Sequence, residues 1–164
     1  MLLNLIGFNL SWFGLILLGN TFIPLSLLWL GLHFYWSANP KAEVKLVFSI
    51  ALIGTLVDTL LYSAGVFIFP NGQYLPLWLI TLWVAFAATI AHSLNFLTYS
   101  KLLQALIGFV FPPLSYLAGA SLSVVEFGYS QLLTYFILAI TWSILMVIFF
   151  QLKDIFYNQV INNA

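Results

Sequence analysis

The run KLVFSIALIGTLVDTLLYSAGVFIF, residues 45–69, opens on Lys45 and then carries one charged side chain, Asp58, before Pro70 ends it. At about 1.5 Å per residue such a run crosses the roughly 30 Å of a bilayer's hydrocarbon core. Only a helix satisfies its backbone there, because lipid offers the peptide groups no partner. Five more runs flank it: Leu2–Leu18, Phe22–Trp36, Pro76–Leu97, Leu102–Val124 and Gln131–Gln151. Each break carries turn formers or charge, as in Pro70-Asn71-Gly72-Gln73-Tyr74. The reading is all-α and polytopic: one six-span domain over residues 1–151 with a short tail, 152–164.

Composition agrees. Of 164 residues 63% are hydrophobic and 5% charged, against about 25% charged in an ordinary soluble domain. Four lysines and four acids cancel, and there is no arginine. Phosphate neutralisation needs a basic stripe, so nucleic acid is excluded as a partner. With no cysteine, thiol chemistry is excluded as well.

An even span count puts both termini on one side with Lys41, Lys45, Lys101 and Lys153, while the opposite side holds Glu126. The positive-inside bias makes the lysine side cytoplasmic. The first two runs are short enough to form a re-entrant hairpin, which would leave that parity unchanged. The first run lacks the basic start and cleavage site of a signal peptide and is expected to stay attached.

Ala51-Leu52-Ile53-Gly54 recurs as Ala105-Leu106-Ile107-Gly108, and eight of fifteen positions from 51 and from 105 are identical. Leu5-Ile6-Gly7 is a fainter copy. The repeat implies three antiparallel helix pairs running in the same sense.

Asp58 is the one acid inside a span, and a carboxyl there costs about 2.5–3.5 kcal/mol on insertion scales, so it should face the interior. Gly54, Asp58, Tyr62 and Gly65 share its helix face, as do Gly108, Pro112, Tyr116 and Gly119 in the fifth span and Asn4, Gly7, Ser11 and Gly14 in the first. The three odd helices are therefore expected to meet at a seam around Asp58, with Pro112-Pro113 breaking the fifth. Two readings stay open: a proton or substrate site, or a structural carboxyl bonded to Ser11, Ser115 or Tyr116. Near the lysine side, His92, Asn95, Thr89 and Ala88 share a face and His33 lies close in depth, a polar patch suited to an anionic headgroup. Two histidines without a third ligand or paired acid give no metal site, and no cofactor motif occurs. The six tryptophans, with Tyr35, Tyr74 and Tyr99, mostly mark interfaces.

The stretches 54–58, 65–69, 75–78 with Leu82-Trp83, 89–93 and 113–119 resemble a bacterial family of small six-span inner-membrane proteins, the domain of unknown function two-eight-seven-eight. The resemblance spans nearly the whole chain and implies a class and a compartment, not a reaction. It marks Asp58 and His92 as motif positions without roles. The family's usual glycine is replaced at Phe111 or Pro112. Its members' setting beside lipid-modifying genes implies lipid. The leading expectation is a non-enzymatic protein that binds or moves a small or lipidic substrate. One alternative is an accessory or scaffold subunit for membrane lipid-modifying enzymes. Another is an interface enzyme using His92 with Asn95 or Tyr99.

Reporter fusions after residues 40, 100 and 164 should behave as cytoplasmic and those after 73 and 128 as external. An external reporter at position 100 would overturn the span count.

Overall fold

The computed structural model describes residues 2–69 and 74–161. Helices α1 (Leu2–Leu18) and α2 (Ile23–Trp36) are joined by a 3-10 turn, Gly19–Phe22, which Gly19 enters at φ +57°. Then come α3 (Pro40–Ser63), α4 (Leu77–Ala87), α5 (Lys101–Ser121) and α6 (Gln131–Ile161). A second 3-10 turn, Asn95–Tyr99, precedes α5. The loops after α3 and α5 form a two-residue antiparallel ribbon, β1 (Phe67–Ile68) on β2 (Glu126–Phe127). The fold is all-α apart from this ribbon.

Four stretches are long and apolar enough to cross a membrane: Leu2–Trp36, Pro40–Ser63, Lys101–Ser121 and Gln131–Asn158. α4 is apolar but shorter, with 11 residues. The outer faces show Leu3, Phe13, Leu28, Phe48, Leu60 and Leu132 to their surroundings, a surface suited to lipid and compatible with a multi-pass membrane protein. Leu2–Trp36 is folded back on itself, since Trp29 covers Gly7, Phe22 covers Gly14 and Asn4 reaches His33. Its arms of 17 and 14 residues each fall short of the roughly 20 residues that a straight crossing takes.

Several helix limits differ from those read in the sequence. α3 starts at Pro40, not Lys45, because proline at a first helical position lacks only an N–H that would be unpaired anyway. α4 stops at Ala87, and residues 88–94 continue as turns with i to i+3 bonds such as Thr89 N to Phe86 O. α6 runs on through Ile161, so the expected tail begins as helix, and residues 162–164 lie outside the described residues. So do residues 70–73 of the expected break at 70–74. The prolines do not end α5, which is helical across Pro112 and Pro113. Pro113 offers no N–H to the Phe109 carbonyl one turn back, and Tyr135 Oη donates to that oxygen instead at 3.3 Å.

The small residues act as seats for the next helix. A Cβ on Gly54 would overlap the Trp83 ring of α4, and one on Gly108 would overlap the Trp142 carbonyl of α6. Trp83 and Trp142 themselves stack face to face, with centroids 4.7 Å apart and planes at 4°. Both are buried in the core, so they do not belong to an interfacial belt, whereas Tyr35, Tyr74 and Tyr99 are exposed. The seam expected between the three odd helices is not formed in that way. The small face of α1 takes Trp29 from α2 and Phe22 from the turn before it, and that of α3 takes Trp83 from α4.

Overfilling a packed contact costs about 1–3 kcal/mol, and more where the neighbour is backbone that cannot rotate away. Gly54→Leu and Gly108→Leu should both lower thermal stability in detergent, and Gly108→Ala should already do so. Unchanged melting of both leucine variants would refute these seats.

Candidate functional site

Two polar networks lie at different depths. The shallower is built on Glu43, whose side chain is 0% exposed in the first turn of α3. The link from α2 to α3 is three residues long, 37–39. It sets His33, in the last turn of α2, opposite Glu43, and His33 Nε2 lies 3.0 Å from Glu43 Oε1. His92 Nε2 lies 2.9 Å from Oε2, which also accepts from Tyr157 Oη of α6. Removing a carboxylate from water costs several kcal/mol, and each hydrogen bond to a charged group returns about 1.5–3. Three donors from three segments are what lets the group stay buried.

His92 reaches Glu43 because the chain unwinds after Ala87. That leaves backbone groups to be satisfied in an apolar setting, and Asn4 of α1 takes two of them. Its Nδ2 donates to Ala88 O at 2.9 Å, and its Oδ1 accepts from Ser93 N at 3.3 Å. These two bonds fix the amide's orientation, so Nδ2 also faces His33 Nδ1 at 3.4 Å. Nδ1 is then an acceptor, and the His33 proton sits on Nε2, aimed at Glu43.

The deeper network is built on Asp58, 0% exposed in the last third of α3. Trp83 Nε1 donates to its Oδ2 at 2.6 Å and Tyr116 Oη to its Oδ1 at 2.7 Å. One carboxyl thus ties α3 to α4 and α5. Trp83 and Tyr116 in turn line a cleft of about 730 Å³ running between α1, α4, α5 and α6. Phe8, Trp12, Phe86, Ile107 and Met146 supply other parts of its wall, and no charged side chain lines it. Ser93, 7% exposed, also lines it, and its Oγ has no hydrogen-bond partner.

Of the residues singled out in the sequence, Asp58 and Tyr116 are bonded to each other. Ser115 turns away, its Oγ accepting from Trp12 Nε1 at 2.7 Å, and Ser11 is buried on α1. His33 and His92 come together, with ring centroids 4.6 Å apart. Asn95 does not join them: its Oδ1 accepts from Lys153 Nζ at 2.6 Å, and Lys153 Nζ also donates to Thr98 Oγ1 at 2.6 Å. Tyr99 is 92% exposed, so His92, Asn95 and Tyr99 do not converge. The shared helix face drawn for His92 and Asn95 fails because residues 88–94 are turns. Glu43, Tyr157 and Asn4 were missed as members. Proline at a first helical position followed by an acid in the first turn was the available signal for Glu43. It placed the acid on a helix facing the end of the one before it.

The family model of a protein of unknown function, DUF2878, matches residues 1–148 of the chain. The chain belongs to this family. Both networks fall within the matched residues except for Tyr157, which lies beyond them. No curated protein and no solved structure matches the chain.

If Asp58 braces Trp83 and Tyr116, the variants should separate by hydrogen-bonding capacity. Asp58→Asn retains an acceptor for the indole and a donor for the phenol oxygen, and should fold with near wild-type stability. Asp58→Leu leaves two buried donors unpaired, at about 1–3 kcal/mol each, and should melt well below both. Equal melting of Asn and Leu variants would remove the brace.

Proposed function

We propose that the protein is a six-span protein of the bacterial inner membrane, with both termini cytoplasmic, that binds an uncharged lipid. The carrying observation is the cleft of about 730 Å³ with apolar walls and no charged lining residue. Ligand sites run to about 300–1,000 Å³ and combine apolar walls with a few polar groups that fix orientation. Here the unpartnered Ser93 Oγ and nearby Thr89 offer such groups to a hydroxyl or carbonyl. A phosphate or carboxylate head would enter without a cation to meet it. An isoprenoid or long-chain alcohol fits this chemistry better than a phospholipid. Asp58 serves here as a positioning residue, holding the indole and phenol of the cleft wall.

The topology has its own support. Lys153 bonds Asn95 and Thr98, just before Lys101, and Tyr157, one turn further along α6, bonds Glu43, which Lys41 and Lys45 flank. The four lysines therefore gather at one end of the bundle, as the positive-inside bias requires of a cytoplasmic face. The pairing of Gly7 with Trp29, Gly54 with Trp83 and Gly108 with Trp142 supports three repeated helix pairs.

Trp12, Trp78, Trp83 and Trp142 line the cleft, so its occupancy is readable in their fluorescence. A brominated long-chain alcohol should quench wild-type emission saturably, and Ala118→Trp, which fills the cleft, should weaken that quenching while leaving the helical content unchanged. Quenching that is linear in wild type and equal in the variant would mean simple partition into detergent. In that case the accessory-subunit reading would be favoured.

A further inference from the structure

The buried carboxylate of Glu43 lacks a fixed counter-charge. Its partners are two imidazoles and a phenol, and among the described residues no lysine lies within ion-pair distance of it. Lys153, the lysine nearest along α6, is already engaged by Asn95 and Thr98. Buried charges in proteins are paired or coordinate a metal. The geometry points to a divalent first-row transition-metal site formed by His33, Glu43 and His92. One ligand-type atom of each lies within 4.8 Å of the others, and both imidazoles turn Nε2 to the carboxylate, at 3.0 and 2.9 Å. An ion bound at about 2.0–2.2 Å from nitrogen and oxygen ligands needs only a modest contraction of such a set.

The donor set selects the class of ion. Two imidazoles and one carboxylate are borderline-to-hard ligands, suited to Zn2+, Fe2+, Co2+ or Mn2+, and the thiolates that softer ions favour are absent because the chain has no cysteine. The ligands come from three separate segments: α2, α3 and the turns after α4. Tyr157 Oη, on the Glu43 carboxylate, is placed as a fourth ligand or as a hydrogen bond to the third. Beside the two histidines lies a separate cavity of about 140 Å³, edged by Leu3, Trp29, Trp36 and Ser37. It has room for water or a small ligand at an open coordination position, the arrangement of catalytic rather than structural zinc sites.

Asn4 couples the site to the fold. Metal-free, it holds the His33 proton on Nε2. When the ion takes Nε2, that proton moves to Nδ1, and the Asn4 amide must present its oxygen there. Turning over loosens its bonds to Ala88 and Ser93. Ser93 also lines the apolar cleft, so the ion and the cleft share a wall. The metal site stands independently of any lipid binding.

The sequence makes the test clean. The chain has two histidines, so any imidazole-dependent metal binding must use these positions. The probes are Zn2+ and Co2+ alone, added to the full-length protein in detergent and carrying a histidine-free tag. Elemental analysis after dialysis should give one Zn2+ per chain, and Co2+ should develop the visible absorption of a four- or five-coordinate nitrogen–oxygen site. His33→Gln, His92→Gln and Glu43→Gln should each weaken Zn2+ binding by roughly tenfold or more. His92 carries the decisive variant, because its side chain is 30% exposed and its replacement leaves the core packed. Folded wild-type protein that takes up no ion, or Zn2+ binding unchanged in a folded His92→Gln variant, would overturn the site.

Discussion

A carboxylate with no water around it must find donors wherever the chain can supply them, and Glu43 draws them from three segments. His33 comes from the helix before it, His92 from the turns after α4, and Tyr157 from the last helix. Each of these groups could stay solvated in a soluble protein, where such a cluster would cost little to lose. In an apolar setting the alternative is an unpaired charge, so the network specifies how one end of the bundle closes. Its cost lies in the shape of α4, which stops at Ala87 so that His92 can turn inward. Asn4 covers part of that cost by capping the backbone groups left over.

Asp58 does comparable work in the last third of α3 with a different result. Its two donors are aromatic, so satisfying the acid also fixes two large rings. Trp83 stacks on Trp142, fills the space above Gly54 and forms part of the cleft wall. The cleft is therefore held in shape by a polar anchor behind an apolar surface, which a purely apolar core of the same volume would do with less precision.

Much of the helical framework was legible because lipid leaves few choices. The limits of α1 and α2, the start of α5 and α6, and the burial of Asp58 all follow from apolar run length and the cost of a lone acid. Tyr116 was within reach because the repeat places it on the same face as the glycine seats. Two features were not legible for opposite reasons. Pro40 reads as a break but starts a helix, which hid Glu43 in a supposed loop. The stretch after Ala87 reads as helix because it is apolar and lacks glycine or proline, yet it unwinds. Its alternative hydrogen-bond partner, Asn4, lies 84 residues away from Ala88, and no local pattern carries that information.

That long reach sets an order for the protein's biogenesis. In synthesis Ser93 follows Asn4 by 89 positions. Until then the Asn4 amide lacks its two native partners at Ala88 and Ser93, at the cost that an unpaired polar group carries in an apolar setting. α1 is thus made before the segment that locks it. A chain cut before residue 88 would lack both groups that hold this amide.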